Sequence, residues 1–495
     1  MLRSFVYKHP KRIAVKNPEQ ALIWSPILYC APSYVENDSF AFLNKKLSIT
    51  NGIQWNYADY GKLWTYNLNY FDFLSQEDIS KDTGLHLIRN YITNENSLKD
   101  GLEPYPISLR VINWIKFIGQ HEIENLDINT SLDWYTRVLL KHLEYHILGN
   151  HLLENGFALY FASYHFKNEK WLKIATTILT KELQEQTLKD GAHFEQSPMY
   201  HKIILSRVLD CIYLGTQNDW EKDTLKDTLR TTASKMLSWL SEITFNNGEI
   251  PYVNDSAKGI TFSSEELFKF ARLLKIDWST VTLNDSGYRM IRKPSYELFL
   301  DIGTIAATYQ PGHLHADALQ FLLNYKNSPV FVDTGVSTYD KTPLRTKERS
   351  TSSHNTVETT DGNQYQVWGG FRVAKRSKVT IKEENDSHII AQLKHFKSSI
   401  HHRTYTWDDT HISIKDVVTS KDNKGTASFH LHPDVIVSKI SESSVRINDS
   451  TINFEGDAIA LRIEEYGFAY EYNDIISSSK IIVTFANHLN SVISL

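Results

Sequence analysis

Residues 286–303 read SGYRMIRKPSYELFLDIG, and the fold turns on them. Two short runs, GYRMIR and YELFLDIG, are rich in aliphatic and aromatic residues and are separated by a Lys-Pro-Ser break that reads as a turn. Everything downstream has the same texture. LQFLLNY, PVFVDTG, HNTVETT, VTIKEE, HIIAQLK, ISIKDVV, SVRINDS, TINFEG and IIVTFAN are short, several alternate in period two, and polar or Gly/Asn turns divide them. This predicts an all-β domain of many strands, most simply a sandwich, over 286–495.

Upstream, from about Asp59 to Lys275, the spacing is helical. SLRVINWIKFIGQ (108–120), YTRVLLKHLEYHIL (135–148), WLKIATTILTKELQEQTL (171–188) and LRTTASKMLSWLSEI (229–243) each repeat apolar residues at i, i+3 and i+4. Such a succession, with short polar connectors and no strict repeat, predicts a stack of helical hairpins over 59–280. Residues 1–58 read as an arm leading into it. The domain boundary is expected between about residues 276 and 290.

At 495 residues the chain exceeds one ordinary core. A net charge of −5, without a basic stripe interleaved with aromatics, excludes a nucleic-acid footprint. Cys30 and Cys211 make neither a disulfide framework nor a CxxC metal pair. No apolar run has the length of a signal peptide or a membrane span, so a cytoplasmic location is expected, or a periplasmic or secreted one if a signal was removed. Eleven Trp and 26 Tyr suit a carbohydrate binder and a large core equally.

Five segments hold more titratable groups than a structural element needs. GNHLLENG (149–156) puts His151, Glu154 and Asn155 on one helix face, although Asn150 also reads as a plain N-cap. DGAHFEQSPMYH (190–201) offers His193, Glu195, Tyr200 and His201, with a Pro suited to the first turn of a helix; Tyr200 also reads as a core tyrosine. YQPGHLHADALQF (309–321) spaces His313 and His315 so that both imidazoles of an extended segment face one site, with Asp317 close behind. PVFVDTG (329–335) ends a strand in Asp333, and RSTSSHNTV (349–357) presents His354 before another. Imidazoles and a carboxylate at strand ends are what a zinc site of His, Asp and His would need; the plainer alternative is a turn cap and a histidine bonded to a backbone carbonyl.

These segments, with WNYADYGKLWTYNLNYFDFL, YPISLRVINW, PYVNDS, VDTGVSTY and WGGFRVAKR, occur in an order that resembles the heparinase II/III family and its alginate-lyase relatives, from about Trp55 to Arg376. The resemblance implies an incomplete (α/α) toroid followed by an antiparallel β-sandwich. It also implies a polysaccharide lyase that cleaves beside a hexuronic acid by β-elimination. Such an enzyme must neutralise the substrate carboxylate, take the C5 proton and protonate the O4 leaving group. By the resemblance, Asn150 neutralises the carboxylate, His151 is a second donor or a base, Tyr200 serves as base, acid or both, and His313 is the histidine of the sandwich. Glu154, Glu195, Tyr339 and Arg349 would contact substrate. His315, Asp333 and His354 would hold a structural zinc. The implied substrate is an anionic glycan of bacterial surface or exopolysaccharide type rather than heparin, and an oligomer is compatible with the family. Outside the lyase reading stand a non-catalytic glycan binder and a uronate epimerase using the same C5 proton abstraction.

Overall fold

The computed structural model describes residues 9–35, 39–49, 52–220, 222–309 and 311–495, so the first eight residues of the N-terminal arm lie outside the described residues. The chain forms two compact units. The first runs as far as Gln186 and adds Ile204–Ser234 and Glu266–Asp277; the second comprises Thr187–Ile203, Lys235–Glu265 and Trp278–Leu495.

The first unit is helical. It is built from α1 (Lys62–Tyr70), α2 (Lys81–Thr93), α3 (Pro104–Gln120), α4 (Leu126–Lys141), α5 (Gly149–Phe166) and α6 (Glu169–Gln186), with parts of α7 (Pro198–Gln217), α8 (Lys226–Ile243) and α9 (Ser264–Leu273). Ser80 caps α2 by accepting from the Thr83 amide, and Asn125 caps α4 by accepting from that of Ile128. Helix α5 is apolar nearly all round because it is covered on both sides, by α3 and by α6. Gly156 permits that approach: a Cβ there would stand 2.8 Å from the Leu179 side chain on α6. Arg110 of α3 is fully buried, lies over the rings of Tyr91 and Tyr135 and donates to the carbonyls of Asn69 and Gly101. Among the described residues no helix is long and apolar enough to cross a membrane.

The second unit is the sandwich. Strands Tyr288–Arg292, Tyr296–Asp301, Gln320–Tyr325 and Ser328–Phe331 form one antiparallel sheet in chain order. The larger sheet runs from Lys378–Glu384 through His388–Lys394, Ile400–Trp407 and His411–Thr419 to a ribbon of two long strands, Ser450–Glu471 and Asp474–Ser494. Period-two burial is plain in Ile400–Trp407, where His401, Arg403, Tyr405 and Trp407 point inward. Leu298, Leu300, Phe321 and Leu323 of the small sheet share one core with Ile412, Phe429, Val483 and Ile493 of the large one.

The helix-to-strand change read at Ser286 falls between α9 and the strand that starts at Tyr288. Compactness cuts the chain differently, because polar contacts tie earlier segments to the sandwich. Gln196 donates to the carbonyls of Ser286 and Thr304, and Asp190 accepts from the Ser286 amide and hydroxyl.

Candidate active site

Loop 254–255 lies between the ends of α8 and α9 and clasps the His-x-His segment. Asn254 adopts the left-handed conformation (φ 55°), which asparagine tolerates, and its side-chain oxygen accepts from the His315 amide at 2.9 Å. The Asp255 amide donates to the His313 carbonyl at 3.0 Å. The Asp255 carboxylate, fully buried, then collects four contacts. Arg345 approaches it at 2.6 and 2.7 Å, His313 Nδ1 at 3.0 Å and His315 Nε2 at 2.9 Å. Burial pushes its pKa up, but the Arg345 guanidinium and the two imidazole hydrogen bonds outweigh burial and hold the group well below the usual carboxylate range. Both imidazoles of the His-x-His pair thus do meet at one point, a buried carboxylate to which the sequence reading gave no role.

An ionised Asp255 is an acceptor only, so Nδ1 of a neutral His313 must carry the proton and Nε2 is left as the basic atom. The His313 ring lies against that of Tyr200, with centroids 3.9 Å apart and planes tilted by 32°. The Tyr200 hydroxyl lies 3.4 Å from that of Tyr339. Burial raises the Tyr200 pKa above its ordinary value, the Tyr339 hydrogen bond opposes this, and the charges of Asp255 and Glu195 add to the rise, so Tyr200 is a phenol at neutral pH. Glu195 is buried 3.9 Å from His313 Nε2 and the same distance from His193 Nδ1. A base and an un-ionised acid therefore stand side by side.

Arg349 is fully buried and, among the described residues, donates only to backbone: the carbonyls of Gly312, Leu314 and Gly370. Its geometry is that of a brace for the loop carrying His313. Arg345, which likewise holds the Gly370 carbonyl, was not singled out from sequence, since nothing local marks LRTKER as buried.

Of the three residues read as zinc ligands, Asp333 and His354 come together, with His354 Nδ1 2.8 Å from Asp333 Oδ2. The other Asp333 oxygen accepts from the Gly335 amide, so the turn cap is present as well. The third member of the compact donor set is Asp317, whose ligand atom lies within 4.8 Å of those of Asp333 and His354. His315 gives Nε2 to Asp255, while its Nδ1 and the Nε2 of His354 are buried without a hydrogen-bond partner among the described residues. Burial, opposed by His354 and reinforced by Asp333, raises Asp317 to about 7. Two buried carboxylates, unspent imidazole nitrogens and no lysine or arginine among the group fit a divalent cation such as zinc.

The helical unit holds a second prepared histidine. Leu148 (φ 63°) and Gly149 (φ 57°) both have left-handed φ, an unusual run in which the leucine is strained. Helix α5 therefore starts at Gly149, and its N-cap position is Leu148; Asn150 is a buried first-turn residue and not the cap. His151 Nδ1 lies 2.9 Å from the buried Glu144 carboxylate, which also accepts from Asn155 at 3.0 Å; Asn155 in turn accepts from the Glu144 amide. The same tautomer logic leaves Nε2 of His151, a third exposed, as the basic atom. Glu154 does not share this face. It is fully buried against Arg207, whose Nε lies 3.3 Å from both carboxylate oxygens.

Two family models match the chain. Heparinase II/III N-terminus covers residues 110–273, and Heparinase II/III-like, C-terminal covers 276–494. The chain belongs to the heparinase II/III family. A heparin-sulfate lyase of Bacteroides stercoris is 22% identical over 320 residues, 58% of this chain and 46% of that relative, so the match spans about half of the relative's length. The crystal structure of a heparinase III is similar over 98% of this chain and 87% of that one, at 17% identity and a TM-score of 0.72. A heparan sulfate lyase from Pedobacter heparinus is similar over 91% and 79%, at 16% identity and a TM-score of 0.60. At these identities the likeness to solved structures is one of fold, and the fold is the helical toroid with antiparallel sandwich expected from sequence.

Proposed function

We propose that this family member is a polysaccharide lyase that cleaves a uronate-containing anionic glycan by β-elimination. The observation that carries the reading is the His313–Tyr200 ring contact with Asp255 on His313 Nδ1. The C5 proton of a uronate is weakly acidic, and its removal needs a base with a basic atom near neutrality. His313 supplies Nε2 for that role, with Asp255 fixing the tautomer and stabilising the imidazolium that forms. Tyr200, un-ionised, donates its proton to the departing O4. A Tyr200 base would need its phenolate stabilised, whereas here burial and two carboxylates oppose ionisation. Asn150 and His151 are assigned the substrate carboxylate on the family resemblance, and the Glu144–His151 pairing suits His151 for proton transfer as well.

Relatives named for heparin-sulfate and heparan sulfate cleavage support an anionic hexuronate polymer as the substrate class. Within that class we assign a bacterial surface or exopolysaccharide. The reading also includes a zinc ion held by Asp317, Asp333 and His354, with His315 adjoining. When bound, it supplies a divalent charge that offsets the buried carboxylates and braces the strand ends. His313 and Tyr200 move the protons.

The test is incubation with heparan sulfate, chondroitin sulfate, alginate and bacterial capsular glycans while ultraviolet absorbance is followed. Elimination leaves a C4–C5 double bond conjugated to the carboxylate, which absorbs. Binding without absorbance on every glycan would favour the binder, and C5 exchange without cleavage the epimerase.

A further inference from the structure

The segment WGGFRVAKR has no role in the chemistry above, yet it is built beside it. Tyr365–Trp368 and Arg372–Arg376 form a two-stranded antiparallel hairpin that pairs with no other strand among the described residues. One face is buried: Tyr365 and Val367, with the partly buried Val373, pack into the sandwich core. The other face is open. Gln366 and Trp368 alternate outward, and Arg372, also exposed, is the direct cross-strand partner of Trp368, so the two side chains leave adjacent backbone positions on one surface. Trp368 is 44% exposed, which is costly for an indole that serves only the fold.

The tip is anchored rather than loose. Its Gly370 carbonyl accepts from both buried arginines, from Arg345 at 3.1 and 3.2 Å and from Arg349 at 3.2 Å. Phe371 lies 5.7 Å from the His313 ring and 5.0 Å from that of Tyr339. The same guanidinium that sets Asp255 therefore sets the hairpin. Its charge is one-sided as well: residues 362–382 contain Arg372, Lys375, Arg376, Lys378 and Lys382 and no Asp or Glu, in a chain of net charge −5. Lys375 sits at a bulge in the left-handed region and is exposed.

We infer that the open face of this hairpin is a glycan subsite next to the reacting sugar, where Trp368 stacks on a sugar ring and Arg372 grips a carboxylate or sulfate of the same polymer. The inference rests on the lyase reading and specifies its substrate. Sugar rings present apolar C–H faces to an indole, and a guanidinium pairs with a planar or tetrahedral anion through two parallel hydrogen bonds. The side-by-side placement selects an anionic, pyranose-containing chain over a neutral one. Lys375 adds attraction without geometry.

The experiment measures binding of the full-length protein, carrying Tyr200→Phe to prevent turnover, to immobilised heparan sulfate, alginate and neutral dextran at low and raised salt. Against this parent, Arg372→Ala and Trp368→Ala should each weaken binding to the anionic glycans about tenfold, as for a lost charged hydrogen bond or a lost stacking platform. Arg372→Lys should restore only part of the loss, and the salt dependence should be shallower in Arg372→Ala. Equal losses on alginate and heparan sulfate assign the contact to carboxylate; a loss on heparan sulfate alone assigns it to sulfate. Parent-like binding by both alanine variants, equal affinity for dextran, or no parent binding to either anionic glycan overturns the inference. If the variants lose binding while the wild-type protein eliminates neither these glycans nor the bacterial capsular ones, the subsite stands and the lyase reading falls.

Discussion

Replacing Asp255 with Asn changes one atom and should disable the site. The carboxylate has two oxygens, each facing one Arg345 nitrogen and one imidazole: His313 on Oδ2 and His315 on Oδ1. An amide has a single acceptor oxygen, so its NH2 must face a guanidinium nitrogen and a histidine whichever way it turns. Turned toward His313, it demands a lone pair at Nδ1, which moves the proton to Nε2 and removes the base. Turned toward His315, it spares the tautomer but removes the charge that favours imidazolium during proton transfer. A positioned general base contributes roughly 10²–10⁴ in rate, so turnover should fall at least about a hundredfold. The variant also leaves Arg345, fully buried, without its counter-charge, at a cost of about 3–5 kcal/mol in stability. Initial rates by product absorbance, with urea unfolding of the same samples, separate the two effects. His313→Ala should be comparably slow, and the double variant little slower than either, because the two residues act as one unit. A folded Asp255→Asn protein within about threefold of the wild-type rate would refute the tautomer argument.

Tyr200→Phe and Asn150→Ala should each remove most elimination, Tyr200→Phe while keeping the fold and glycan binding; a wild-type rate in the phenylalanine variant would transfer the proton to another donor. Protein purified without chelator should contain about one zinc per chain, and Asp317→Asn with His354→Ala should lose it; metal-free protein of full thermal stability would remove the ion from the account. Acid should destabilise the helical unit in a defined window. Burial lowers the His165 pKa to about 4, so the unfolded chain binds a proton below about 6.5 that the folded chain refuses, and stability is lost as pH falls between those values. The full loss for this group is about 3 kcal/mol near pH 4. His165→Gln should flatten the dependence of the urea midpoint on pH, and an unchanged slope would mean other groups set it.

The helical and strand periodicities were legible because burial imposes them residue by residue, as in Ile400–Trp407. Site residues were legible where spacing alone brings them together, and His313 with His315 is the case in point. What spacing does not reveal is a partner distant in sequence. Asp255 lies about 60 residues from the histidines it binds, inside PYVNDS, and 90 residues from Arg345. On α5, residues 151 and 155 are about 40° apart around the axis and residues 151 and 154 about 60° the other way. That difference sends Asn155 to Glu144 beside His151 and sends Glu154 to Arg207. Asn150 resembled an N-cap because asparagine so often is one, but the paired left-handed Leu148 and Gly149 start the helix earlier. Arg349 was assigned to substrate on the family resemblance, and the backbone carbonyls of Gly312, Leu314 and Gly370 that accept from it are set by the fold rather than by any local pattern.

Elimination breaks the glycan without consuming water, and that separates it from hydrolysis. Wild-type protein should be incubated with heparan sulfate, alginate and a capsular uronate glycan in oxygen-18 water, and the fragments weighed. Elimination predicts fragments whose masses sum to that of the parent chain, no label at either new end, and ultraviolet absorbance rising in step with each break. Cleavage that incorporates the label, or C5 exchange with no cleavage at all, would contradict the account.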